Sequence, residues 1–286
     1  MHYSALIGNP TDHSVSYILY RELAKVAGIQ GFYQHIRVNI AKNELSESLH
    51  AFNTLHFVGL NVTLPYKLDV MNLIDEIDPV ARELGAVNTI KLGSKVRGYN
   101  TDWAGITESI KQFSGEVKYS SAVIFGTGGA SRAAIYACKE LGIKDIHVVY
   151  RLKASDNTCK LQEHSSKLGI ALHSYSEVKS LLEKSQLVIN ATSAGMVGKE
   201  ALPFELASIY GVSVQDKVFL DAVFNPLHTP LLDYFERNGA ITIDGLWMMI
   251  YQGVGALNVW FDRDIQVSPS DLSKIHNLME EELKNV

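Results

Sequence analysis

Along most of this chain, short apolar runs alternate with longer stretches whose apolar residues recur every three or four positions. The first kind of run reads as strand and the second as amphipathic helix. In the first third, strands are predicted at residues 3–8, 32–38 and 57–62, and helices at 15–27 and 44–55. Helical turns follow around 67–74 and 79–84, and residues 86–92 and 95–99 read as a strand pair turning at Gly93 and Ser94. A helix is expected at 103–113, with a polar connector at 115–120. The second half is more regular. Strands are predicted at 122–125, 146–150, near 171–173, and at 187–190, 218–223 and 240–243. Between them lie a helix at 131–141 closed by Gly142, one near 159–168, one at 177–184, and further helical patterns. Apolar strands separated by helices predict a parallel sheet covered on both faces. Two helices, 246–261 and 269–284, end the pattern; Ser268, Pro269 and Asp271 form a helix start of cap, first-turn proline and acid. The fold class is therefore α/β. An N-terminal α/β domain of residues 1–104 is expected to be rejoined by 245–286. Residues 105–244 form a Rossmann-like, doubly wound, parallel-sheet nucleotide domain, with a cleft between the two.

Composition narrows the classes. With 47% hydrophobic and 20% charged residues, the chain falls in the globular range and needs no disulfide framework. Net charge is −5 with both signs mixed and no basic stripe, so a nucleic-acid partner is not expected. Cys138 and Cys159 match no metal or redox spacing and read as reduced thiols in a cytoplasmic protein, with Cys138 in the core. The opening residues lack the basic and apolar regions of a signal peptide. No apolar run reaches the ~18 residues that suggest a membrane span. Among ten histidines there is no H-x-x-x-H spacing, and no metal is expected. A monomer or a homodimer is expected.

The candidate chemistry begins at residues 122–125, a strand that runs into Gly126-Thr127-Gly128-Gly129-Ala130-Ser131 and then a helix. In such a turn glycines let the backbone approach a pyrophosphate, and the helix-end amides point at its charge. The third glycine of the G-x-G-x-x-G form is missing, because Ser131 holds its place; an ordinary βα turn stays open as the blander role. At the end of the second strand an acid binds ribose hydroxyls, whereas an arginine accommodates a 2′-phosphate. Arg151 and Lys153 stand there and favour NADP, although two solvated cations would look the same; Asp156 keeps NAD open.

Several further segments fall into one order. Ser14-Val15-Ser16 is followed by Asn61-Val62-Thr63-Leu64-Pro65-Tyr66-Lys67, Gly85-Ala86-Val87-Asn88-Thr89 and Asn100-Thr101-Asp102 with Gly105. After the Gly126 loop come Asn190-Ala191-Thr192-Ser193 with Gly195 and Met196, Asp221 with Asn225-Pro226, and Gly245 with Met248 and Gln252. In this order, over nearly the whole chain, they resemble the shikimate dehydrogenase family. The resemblance implies that 1–104 and the C-terminal helices form a substrate domain. It also implies reversible reduction of 3-dehydroshikimate to shikimate with NADPH, a step of aromatic amino-acid biosynthesis. By the same resemblance Ser14 and Ser16 hold the substrate carboxylate. Thr63, Lys67, Asn88, Asp102 and Gln252 surround its hydroxyls, and Lys67 with Asp102 is the catalytic pair. Thr192, Met196 and Gly245 join Gly126, Gly128, Gly129, Ala130, Arg151 and Lys153 as cofactor-site candidates.

The chemistry of those residue types agrees. Hydride delivery to a ketone builds charge on oxygen, and a positioned ammonium stabilises it and supplies a proton. Which of Lys67 and Asp102 moves the proton stays open at this point. Blander roles stay open too: Ser14 and Ser16 as helix caps, Asp102 as the N-cap of the helix after it, Lys67 as a solvated loop cation, Asn88 as a turn residue, Gln252 as a satisfied buried amide. The chain departs from the family where proline and a His-Asn pair usually follow the serines; Tyr17, Tyr20 and Arg21 stand there. Phe224 replaces a tyrosine, and Met249 follows Met248 where leucine is common. Phe224 removes a hydroxyl, and Tyr17 is expected to put a ring beside the carboxylate site. A paralogue oxidising quinate or another cyclic polyhydroxy acid with NAD or NADP is therefore a second reading. A non-catalytic sensor of shikimate-like ligands is a third, opposed by the intact Lys67 and Asp102. A dehydrogenase of folate one-carbon units would share the architecture but not the serine pair.

Overall fold

The computed structural model describes residues 1–29, 31, 33–115, 118–151, 165 and 169–285. The chain divides into two compact units, Met1–Gly105 with Met249–Val286, and Ile106–Met248.

The first unit holds β1 (His2–Gly8), α1 (Ser16–Val26), β2 (Tyr33–Asn39), α2 (Leu45–Thr54) and β3 (Gly59–Val62). Then come β4 (Glu76–Ile77), α3 (Pro79–Leu84), β5 (Thr89–Lys91) and β6 (Arg97–Tyr99). Its sheet runs β2-β1-β3-β5-β6-β4. β1 is parallel to β2 and β3, whereas β5 is antiparallel to β3 and β6. Because side chains alternate along a strand, the sheet has two different faces. Ala5, Ile7, Leu60 and Val62 join a core with Leu45, Leu49 and Phe52 of α2. The register places Ser4 beside His35 and Gly59, and Leu6 beside Asn61, on the opposite and more polar face. There Tyr20 of α1 stacks on His35 at 4.3 Å and on Trp260 at 5.1 Å.

The chain passes to the second unit within α4 (Asp102–Ser114). There follow β7 (Ser121–Phe125), α5 (Gly129–Glu140), β8 (Asp145–Tyr150), β9 (Ile170–Ser174) and α6 (Val178–Lys184). β10 (Leu187–Asn190), β11 (Val218–Asp221), α7 (Pro230–Arg237) and β12 (Ile241–Ile243) complete it. The sheet is parallel throughout, ordered β9-β8-β7-β10-β11-β12. The chain winds outward from β7 to β9 and then crosses back to begin again at β10. The carboxyl ends of β7 and β10 are thus the switch point at which such sheets take ligands. Where both faces are covered the central strands are buried without alternation: β7, β10 and β11 are buried at every position. α8 (Gly245–Phe261) carries the chain back to the first unit, where α9 (Pro269–Leu283) closes it.

The strand and helix expectations hold within a residue or two for most elements. Ser268 caps α9 by accepting from the Asp271 amide, and Gly142, at φ +77°, follows the end of α5. Three differences carry physical content. The turns expected around 67–74 condense to a 3-10 turn at Asp69–Asn72. The expected strand 86–92 is only Thr89–Lys91, because Val87 donates its amide to the Lys67 carbonyl instead of a neighbouring strand. The two-residue β4 was not anticipated, being too short to show a period. The helix expected near 159–168, Lys153, Asp156 and Cys159 lie outside the described residues, as does Phe32 at the start of the second expected strand. Among the described residues no helix is long and apolar enough to cross a membrane.

Candidate active site

Lys67, in the loop after β3, and Asp102, the first residue of α4, are 35 positions apart and meet with Nζ 2.5 Å from Oδ2. The Lys67 main chain is held by the bond from Val87 to its carbonyl (2.8 Å), which also brings Asn88 alongside. Asn88 is the hub of the cluster. Its Nδ2 donates to Asp102 Oδ1 at 2.7 Å and to Thr101 Oγ1 at 3.1 Å. Its Oδ1 accepts from the Thr101 amide at 2.7 Å and from Thr89 Oγ1 at 3.0 Å. Gln252 reaches the same cluster from α8: Oε1 accepts from Asn88 and Thr101 at 3.4 and 3.3 Å, while Nε2 donates to the Met249 carbonyl. Asn88 and Asp102 are buried. A buried carboxylate is tolerable when both oxygens accept from strong donors, and here one takes an ammonium and the other an amide. Lys67 is thus paired rather than solvated, and Gln252 has partners at both ends of its amide, as a satisfied buried amide would.

The two serines are buried at the start of α1. The N-cap position is Val15, and no side chain among the described residues caps it. Ser14 Oγ accepts only a long bond, 3.3 Å, from the Ser16 amide. Ser16 Oγ has no hydrogen-bond partner among the described residues, and neither has Asn61 Oδ1. Leaving such an atom dry costs about 1–3 kcal/mol. Thr63 lies beyond β3, tied by its amide to the Ile7 carbonyl. A Cβ on Gly8 would stand 2.4 Å from Thr63 Cγ2 and 3.2 Å from Thr11 Cγ2, so the loop after β3 and the loop leading to the serines meet over the end of β1. No hydrogen bond among the described residues joins Ser14, Ser16 or Thr63 to the Asn88 cluster. Tyr17, expected beside the serines, has its ring under Arg37 at 4.8 Å and donates its hydroxyl to Glu282 of α9. Tyr20 is fully buried, its hydroxyl next to Asn61 and Gln252 without closing a bond of ordinary geometry.

The second site lies at the switch point of the parallel sheet. A pocket of about 640 Å³ is lined by Gly126, Thr127 and Gly128, by Tyr150, Arg151 and Tyr175, and by the 191–203 loop with Thr192 and Glu200. Gly126 sits at φ +108°, and a Cβ there would come within 3.1 Å of the Ala191 carbonyl; only glycine fits. Gly128 is the N-cap of α5 and brings no side chain to the first amides; Gly129 and Ala130 open the helix. Ser131 Oγ is buried with no partner among the described residues. Asn190 shapes the facing loop: its Oδ1 accepts from Thr192 N and Oγ1, and its Nδ2 donates to Asp221 Oδ1. Burial pushes the Asp221 carboxyl up to about 6, against its bonds from Thr229, Val223 and Asn190. Met196 is half-buried in the turn that follows, its amide on the Ser193 carbonyl. Gly245 has a packing reason to be glycine, since a Cβ would lie 2.4 Å from the Val223 carbonyl oxygen. Arg151 pairs with Glu200 across the pocket.

Comparison with known proteins now adds the lineage. Residues 6–90 match the family described as "Shikimate dehydrogenase substrate binding domain". A relative named shikimate dehydrogenase (NADP(+)) from Roseobacter denitrificans is 36% identical over 264 residues, 91% of this chain and 92% of its own. One of the same name from Aquifex aeolicus is 33% identical over 269 residues, 94% of both. The chain belongs to the shikimate dehydrogenase family. A solved member from Thermus thermophilus, in complex with NADP(H) and shikimate, is similar at 25% identity and a TM-score of 0.83, over 98% of this chain and 100% of that one.

Against the family's expected site residues, the structure brings Lys67, Asn88, Asp102 and Gln252 into one bonded cluster, and Gly126, Gly128, Arg151 and Thr192 into one pocket. Thr89, Thr101 and Asn61 were visible in the family motifs but carried no assigned role, and they prove to be bonding partners or neighbours of the cluster. Asn190 and Asp221, likewise in motifs, brace the Thr192 loop. For Tyr175 and Glu200 the sequence offers no signal, because neither lies in a pattern.

Proposed function

We propose that the chain reduces 3-dehydroshikimate reversibly to shikimate with NADP, residues 1–104 and 245–286 binding the substrate and 105–244 the dinucleotide. What carries this reading is the Lys67–Asp102 contact braced by Asn88 and Gln252, a proton-holding pair inside a set of donors and acceptors suited to a polyhydroxy ring. The glycine turn and the Arg151 guanidinium fit a 2′-phosphorylated dinucleotide. When bound, the nicotinamide supplies or accepts the hydride.

The chain's own residues do the rest. Ser14 and Ser16 offer hydroxyls to the substrate carboxylate. Asn88, Gln252, Thr63 and the Asn61 oxygen orient ring hydroxyls; a site that must bond a hydroxyl discriminates strongly against analogues lacking it. Lys67 Nζ presents its ammonium to the substrate oxygen, offsets the charge that develops there, and passes a proton to it. Asp102 keeps Nζ aimed, and in the oxidation direction the proton returns to the pair. Gly128, Gly129 and Ala130 present helix-end amides to the pyrophosphate, Arg151 and Lys153 take the 2′-phosphate, and Thr192, Met196 and Gly245 shape the pocket wall. The test is absorbance at the reduced-nicotinamide band with shikimate or quinate, each offered with NADP or NAD. Reduction of NADP by shikimate is expected to dominate. Preferential turnover of quinate, or of NAD, overturns it in favour of the paralogue reading.

A further inference from the structure

Arg151 closes β8 at one end of the nucleotide pocket, and Glu200 reaches it from the loop after β10. The two are 49 positions apart, so the contact is made by the fold and not by local chain geometry. Both side chains are at least half exposed, at 50% and 65%. An ion pair of that kind is worth about 0–1 kcal/mol. It breaks readily, yet it occupies Nη2, one of the guanidinium donors that a second anion would use. A guanidinium presents a planar fork that fits carboxylate and phosphate alike. Tyr150 and Tyr175 line the same end of the pocket, and the loop main chain at Glu200 is anchored, its carbonyl accepting from the Gly195 amide at 2.7 Å. The anchored main chain keeps the Glu200 side chain within reach of the cation.

Resting on the reading that this pocket takes NADP, we propose that Glu200 sets the cofactor preference by competing with the 2′-phosphate for Arg151. A 2′-phosphate must displace the carboxylate, or else two anions lie side by side on one cation. A 2′-hydroxyl faces no such conflict, because it can donate to the carboxylate where it stands. Glu200 thus weakens binding of the phosphorylated nucleotide and supports the unphosphorylated one, narrowing a discrimination that Arg151 alone would make wider. The exchange involves no covalent step.

Calorimetric titration of the full chain with adenosine 2′,5′-bisphosphate and with 5′-AMP tests this without turnover. Glu200→Gln should tighten the bisphosphate about two- to fivefold, the range of a weak ion pair, and leave AMP unchanged or weaker. Arg151→Ala should collapse the preference for the bisphosphate. A thermal melt of each variant checks that it folds. Should Glu200→Gln leave the ratio of the two affinities unchanged while Arg151→Ala collapses it, the role of Glu200 is overturned and the nucleotide site stands. Should the unaltered chain show no 2′-phosphate preference and Arg151→Ala change nothing, both are overturned.

Discussion

In the unit of residues 1–105 and 249–286 the site is built from side chains: Lys67 on Asp102, Asp102 on Asn88, Asn88 on Thr101 and Gln252. In the unit of 106–248 it is built mainly from backbone: a glycine turn at φ +108° pressed against the Ala191 carbonyl, and a helix that begins at a glycine. The sheets behind them differ in the same sense. The mixed sheet keeps a polar face with Ser4, His35 and Asn61, while the parallel sheet is apolar at its centre on both faces. Side chains recognise one substrate through particular donors and acceptors. Main-chain amides recognise charge and shape, and leave selectivity to one or two peripheral groups such as Arg151 and Glu200. Damage to the first site should therefore abolish chemistry, and damage to the second should weaken binding.

The largest effect should come from Lys67→Ala. Loss of the proton donor is expected to lower kcat by about 10²–10⁴-fold while affinity for adenosine 2′,5′-bisphosphate stays unchanged. If nucleotide affinity fell in parallel, the division of labour between the units would break. Next is Gly126→Ala. A side chain at that φ and that distance from Ala191 should cost about 1–3 kcal/mol of stability and weaken nucleotide binding, leaving shikimate binding as it was. Chemical unfolding and separate ligand titrations check the two halves.

The smallest effect is one of pH, and it too distinguishes the units. Burial lowers His35 to about 3, so the folded chain keeps it neutral while the unfolded chain takes up its proton below about 6.5. Its contribution is intact above that pH and is lost as pH falls from there toward 3, at about 1.4 kcal/mol per unit. Asp221 has the opposite sign. With its pKa raised to about 6, the folded chain binds that proton more tightly than the unfolded one, so its contribution declines as pH rises from about 4 to 6. His35→Gln should therefore reduce the loss of stability between pH 6.5 and 5 by about 2 kcal/mol, measured by urea unfolding. An unchanged pH profile would mean that His35 titrates normally.

Much of this was legible before any coordinates. The strand–helix alternation, the Gly126 turn and the order of the motifs are local properties of the chain, and local periodicity survives folding. Partners were less legible. Asn88 looked as much like a turn residue as a ligand, and its standing as the hub depends on Thr101 and on Gln252, 164 positions away. Tyr17 was expected beside the serines; that its ring faces Arg37 of β2 and its hydroxyl Glu282 of α9 is not visible in any local pattern.

By itself, the sequence determined the class of fold, the family and the residue types available for chemistry, because periodicity, glycine and motif order are written within a few positions of one another. Only the tertiary structure decided which strands adjoin, that Val87 anchors Lys67, that Ser16 and Asn61 keep oxygens without a partner among the described residues, and that Glu200 faces Arg151. The reason is geometric. A hydrogen bond is selected by distances of a few tenths of an ångström between groups far apart in the chain, and strand order and register set those distances.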